Sequence, residues 1–141
     1  MVGVKYYKII SHTADIGIKV SGKDKKELFA NAGRAFFDIL TGLDNVSGEV
    51  SHTFKVKAKN QEDLLFNFLD ELLYRFSVNK SVFRDFKVSI KDGKELSATA
   101  TGETFKENKH KIRREIKAVT YHNFKMYKFK NKWYAKIIFD I

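Results

Sequence analysis

The hydrophobic positions of this chain change period several times, and each change marks an element. Residues 4–10 (VKYYKII) and 15–20 (DIGIKV) alternate or run apolar over strand lengths, with His12-Thr13-Ala14 between them and Asp15 opening the second strand. From Asp24 the period becomes helical. Leu28, Ala32, Ala35, Phe36, Ile39 and Leu40 recur three and four apart, Asp24 and Glu27 form an acidic variant of the capping box, and Gly42 supplies the stop. This predicts a helix over 24–41. Residues 49–59 alternate cleanly and predict a strand with one wet face. Asn60 caps a second predicted helix, 61–78, whose Leu65, Phe68, Leu69, Leu72, Leu73 and Phe76 share one face. Residues 82–91 and 95–106 read as a hairpin turned at Asp92-Gly93, followed by strands at 112–119, 121–129 and 133–140, the last pair turned at Asn131-Lys132.

Two amphipathic helices among about eight mostly antiparallel strands define an α+β fold, a two-helix α/β sandwich with its helices packed on sheet. Leu65, Leu69, Leu72, Phe36 and Ile39 are the expected core. Neither a linker nor a low-complexity tract interrupts residues 1–141, so a single domain is expected. Strands and helices do not alternate in the doubly wound manner, which argues against a nucleotide site at a parallel-sheet switch point.

Composition narrows the chemistry. The chain has 141 residues, 43% of them hydrophobic, enough for one sizeable core. Zero cysteines exclude disulfides, thiol catalysis and zinc-thiolate sites. No apolar run approaches the roughly 18 residues of a membrane helix, and the start lacks a signal-peptide pattern, so a cytoplasmic protein without a membrane span is expected. The net charge of +10 is uneven: residues 1–100 carry 16 Lys/Arg against 13 Asp/Glu, and residues 101–141 carry 11 against 4. Such an excess suits an anionic partner, or solubility alone.

No phosphate-cradling GxxxxGK[ST] or GxGxxG occurs, and no GxSxG. The four histidines are scattered without metal-ligand spacing. The densest polar stretch is Glu115-Ile-Lys-Ala-Val-Thr-Tyr-His122, in which strand alternation sets Glu115 and Lys117 side by side, as an ion pair or with Lys117 turned to an anion. Glu71 and Arg75 stand four apart on the second helix and suit a surface pair. The final stretch, Trp133 to Ile141, is β-branched and aromatic and ends in two carboxylates, those of the Asp140 side chain and the Ile141 main chain. Like charges so close are relieved by a cation between them, or by a frayed end that leaves both in water. Asp15 sits in a similar apolar setting. Together these groups offer only oxygen, which suits Ca²⁺, Mg²⁺ or Mn²⁺.

The segments His12-Thr-Ala-Asp-Ile-Gly-Ile18, Asp63-Leu-Leu through Glu71-Leu-Leu-Tyr74, Glu115 to His122 and Phe139-Asp140-Ile141 resemble, in order and spacing, those of the archease family. The resemblance spans essentially the whole chain. Ser11 departs from it, standing where an acidic residue precedes HTAD, and Phe68 and Asp70 stand where the helix commonly reads Trp and Asn. What the resemblance implies is a non-catalytic, chaperone-like activator of the GTP-dependent RNA ligase of tRNA splicing, promoting guanylylation of the ligase and its multiple turnover. It implies a divalent metal, Ca²⁺ first, on Asp15, Asp140 and Ile141, and functional roles for Lys117, Glu71, His12 and His122. Two other classes remain open at this stage. One is a basic RNA-binding module using the aromatic, lysine-rich last third; the other is a small metal-dependent hydrolase with His12 or His122 as base.

Overall fold

The computed structural model of the chain describes residues 6–11 and 15–141, Ser11 by its main chain alone. The elements run β1 (Tyr7–Ser11), β2 (Asp15–Gly22), α1 (Lys25–Leu40), β3 (Val50–Lys57), α2 (Gln61–Asn79), β4 (Ser81–Lys91), β5 (Glu95–Thr104), β6 (Ala118–Phe129) and β7 (Lys132–Asp140), with one 3-10 turn at Leu43–Asn45. They form a four-stranded sheet in the order β1-β2-β7-β6 and a three-stranded sheet in the order β3-β5-β4. All neighbouring strands are antiparallel.

The helices start where the sequence puts their caps. Asp24 Oδ1 accepts from the Glu27 N–H at 2.8 Å while Glu27 Oε1 accepts from the Lys23 N–H, and Asn60 Oδ1 accepts from the Asp63 N–H. Gly42, at φ +87°, follows the end of α1 in a conformation that side chains resist.

Both helices lie between the sheets. Phe36 of α1 meets Phe139 of the four-stranded sheet edge-on, ring centroids 5.7 Å apart, and its neighbour Phe37 meets Phe83 of the other sheet at 5.6 Å. In α2, Phe68 reaches Phe54 of β3 and Phe86 of β4, while Phe66 stacks on Tyr121 of β6 at 3.8 Å. The expected core residues Leu65, Leu69, Leu72, Phe36 and Ile39 are all buried. Each sheet therefore turns one face to the helices and leaves the other for solvent. Along β2, Ile16, Ile18 and Val20 point to the core, so Asp15, Gly17, Lys19 and Ser21 belong to the outer face.

The strand count and one stretch differ from the sequence-based expectation. Seven strands, not about eight, occur among the described residues. Residues 112–117 form no strand, and β6 begins only at Ala118. This segment is tied instead to other elements: the Arg113 N–H donates to the Leu40 carbonyl at 2.7 Å and the Thr41 hydroxyl donates to the Lys111 carbonyl at 2.6 Å. Those bonds to the end of α1 replace the ladder that alternation predicted. Residues 121–129 are the rest of β6, after an irregularity between Thr120 and Lys125. The last hairpin turns at Lys130-Asn131, both at positive φ, one residue earlier than expected. The predicted connection His12–Ala14 and the start of the first predicted strand lie outside the described residues.

Candidate functional site

β2 and β7 are the central strands of the four-stranded sheet, and their register sets Asp15 directly opposite Asp140. On the other side of Asp140 stands Ala118 of β6, and the Lys117 N–H donates to the Asp140 carbonyl at 2.7 Å. Three residues singled out from distant parts of the sequence thus meet at one end of one sheet. Asp15 is half-buried and Asp140 exposed, on the outer face. Ile141 follows, half-buried against the core. Neither acid has a Lys or Arg within ion-pair distance among the described residues.

The segment that delivers Lys117 is pinned by a buried cluster that composition and pattern did not reveal. Glu103 Oε2 accepts from the Ser47 N–H (2.7 Å) and Lys109 Nζ (2.7 Å), and lies 3.1 Å from His110 Nε2. His110 Nδ1 accepts from the Lys106 N–H, which leaves the Nε2–H to donate to Glu103. Burial pushes the Glu103 carboxyl up, but the hydrogen bonds from Lys109, Ser47 and His110 outweigh it and hold the group at about 2. Its other oxygen, Oε1, is buried without a hydrogen-bond partner among the described residues. The only hint in the sequence was an acid near the end of a strand whose residues 97–102 are all Ser, Ala, Thr or Gly.

The remaining predicted residues go elsewhere. Glu71 pairs with Arg75 at 2.8 Å, and the Arg75 guanidinium lies 4.3 Å from the Phe54 ring centre, so this pair braces α2 on β3. His122 is exposed in the β6 irregularity, its Nε2 3.3 Å from the Asn123 amide nitrogen. His12 lies outside the described residues. Neither Glu115 nor Lys117 is in a strand, and the ion pairs among the described residues do not join them. Glu115 instead lines a hollow of about 750 Å³ with Leu40, Phe76, Phe105 and Ile116, which shares no residue with the acid pair. Among the described residues no three His, Asp or Glu side chains gather as a metal site. No helix among the described residues is long and apolar enough to cross a membrane.

The fold and this site define an α+β sandwich whose facing acids and neighbouring lysine stand at one end of an open sheet. The chain matches the Archease protein family (MTH1598/TM1083) over residues 7–141. It is 37% identical to the protein archease of Pyrococcus furiosus, covering 98% of this chain and 100% of that one, and 36% identical to that of Methanosarcina barkeri, covering 97% of each. The solution structure of Methanobacterium thermoautotrophicum protein 1598 superposes with a TM-score of 0.82 at 30% identity, covering 98% of this chain and 100% of that one. The crystal structure of a Thermotoga maritima archease, described as a possible chaperone, shares the fold with a TM-score of 0.66 at 24% identity, covering 95% of this chain and 96% of that one. The chain belongs to the archease family.

Proposed function

We propose that this archease activates the GTP-dependent RNA ligase of tRNA splicing, speeding guanylylation of the ligase and restoring its turnover, with a divalent cation held at Asp15 and Asp140. The observation that carries the reading is the register of β2, β7 and β6, which joins both acids and Lys117 at one sheet end. Two carboxylates directly opposite each other destabilise a sheet unless a positive charge intervenes, and among the described residues no Lys or Arg pairs with either.

The donor set fits a hard cation. Asp15, Asp140 and the Ile141 main-chain carboxylate would hold it, all through oxygen, Ca²⁺ before Mg²⁺ or Mn²⁺. Such an ion supplies positive charge to phosphate oxygens of a nucleotide. The protein's own residues do the positioning. Central strands fix the acids, and the loop pinned at Glu103 and His110 carries Lys117 to them. The Lys117 ammonium then offers three donors to a phosphate without competing for the cation. Tyr121 and Phe66 close α2 onto β6 behind this end.

Added substoichiometrically to the cognate ligase and GTP, the protein should raise the rate of ligase guanylylation and convert stalled ligation to repeated turnover. Asp15→Ala and Asp140→Ala should abolish the effect. A ligase whose guanylylation and turnover are unchanged by the wild-type protein overturns the reading.

A further inference from the structure

Lys8, Lys19, Lys136 and Lys125 stand in one row across the whole outer face of the four-stranded sheet. Lys8 is paired with Lys19, Lys19 with Lys136 and Lys136 with Lys125. Three strand spacings of about 4.8 Å make the row about 14 Å long. Like charges placed directly opposite one another weaken a sheet, and here the repulsion repeats at every strand boundary. No carboxylate offsets it: among the described residues none of the four is in an ion pair, and residues 1–5 and 12–14 contain no acid. Lys19 and Lys136 are half-buried, which adds desolvation to the repulsion.

The surroundings say what kind of anion the row takes. Four residues along the strands, past Gly17 and Ile138, lie Asp15 and Asp140, the acids of the proposed cation site, which mark the far end of this face. On the opposite side the next row holds Tyr134 and Tyr127, whose rings stack 5.4 Å apart, and Lys19 Nζ lies 5.0 Å from the Tyr134 ring centre. Between lysines and acids, over Gly17 and Ile138, the face is hollowed by about 340 Å³, with Asn123 on its wall. That volume lies within the usual range of small-ligand pockets, about 300–1,000 Å³. An extended polyanion with planar apolar groups uses the lysines, the rings and the hollow together, whereas an acidic peptide uses the lysines alone.

We propose that the outer face of this sheet binds single-stranded RNA, its phosphates on the lysine row and a base in the hollow over Gly17. The choice of RNA over DNA rests on the ligase reading; the surface itself does not.

Binding of a labelled oligouridine of about ten nucleotides, followed by anisotropy over a range of salt, tests this without any ligase. Each phosphate contact contributes about 0.7 to the slope of log affinity against log salt for a single strand, so a Lys19→Gln/Lys136→Gln variant should lose about 1.4 of slope. It should also bind at least about tenfold more weakly at fixed low salt. Lys55→Gln/Lys57→Gln, an equal charge change at exposed lysines of the other sheet, should alter neither. The row variant should melt no lower than wild type, because it relieves repulsion, so loss of binding is not loss of fold. Equal losses from both pairs, or polyglutamate displacing the RNA from wild type and from the row variant alike, overturn the proposal. Oligothymidine bound tighter than oligouridine overturns the choice of RNA. If the row variant still stimulates guanylylation after RNA binding has failed, the ligase reading stands by itself.

Discussion

Glu103 and His110 face each other in the interior, Oε2 to Nε2 at 3.1 Å, and both are almost wholly buried. They sit at the root of the segment that carries Lys117, so the pair links stability to the candidate site. A carboxyl whose folded pKa is lowered, here from 4.5 to about 2, stabilises the protein above its unfolded pKa and loses that contribution as pH falls through the folded one. The depression corresponds to roughly 3 kcal/mol at neutral pH. Urea unfolding of wild type and Glu103→Gln should differ by that order at pH 7, with the gap closing between pH 4.5 and 2. A gap independent of pH would mean that the carboxylate charge is not what holds the loop.

Leu69 is fully buried in the middle of α2. Its truncation to Ala removes contacts the packed interior cannot refill, at a cost of about 2–5 kcal/mol. Val78, at 59% exposure on the last turn of the same helix, should cost less than about 0.5 kcal/mol on truncation. Chemical denaturation of both variants checks the facing, and similar losses at the two positions would contradict it.

Much of this architecture was legible in the amino-acid sequence, for local physical reasons. The caps at Asp24 and Asn60 and the apolar stripes of α1 and α2 are written within a turn or two of the residues they govern, and the helix bounds came out within a residue or so. Residues 112–117 misled because alternation records which residues are apolar and not what the main chain bonds to; their partners here are the end of α1 and β7. Asp15 and Asp140 could be suspected as a pair, but only strand register makes them one. The lysine row was invisible for the same reason: each lysine sits between apolar neighbours on its own strand, and nothing local aligns the four. Glu103 escaped because its partners come from two segments distant from each other, Ser47 and Lys109-His110.

Asp15, Asp140 and Ile141 should together bind one divalent ion. Calorimetry with Ca²⁺, Mg²⁺ and Mn²⁺ on wild type, Asp15→Asn and Asp140→Asn is expected to show a single site that either substitution removes. The Asn variants keep shape and lose one charge each, so the fold should survive and its melting temperature rise slightly as the facing repulsion goes. A C-terminal extension should weaken the site by converting the Ile141 carboxylate to an amide. Unchanged affinity in both Asn variants would remove the acid pair from consideration.

Lys117 separates cation binding from action on the partner. Its main-chain N–H already holds the Asp140 carbonyl at 2.7 Å, and that bond does not need the side chain, so Lys117→Ala should leave the acids in register and calcium affinity within about twofold of wild type. The exposed ammonium is what the variant loses. If that group meets a phosphate at the ligase, stimulation of guanylylation should fall about tenfold or more, about 1.4 kcal/mol of lost interaction, with partial recovery in Lys117→Arg, which keeps the charge on a different geometry. Glu103→Gln, with the loop loosened but Lys117 present, should show a smaller loss that grows with temperature as the loop opens. Calcium affinity lost along with stimulation in Lys117→Ala would instead make Lys117 part of the acid pair's support, and full stimulation in that variant would take the residue out of the site.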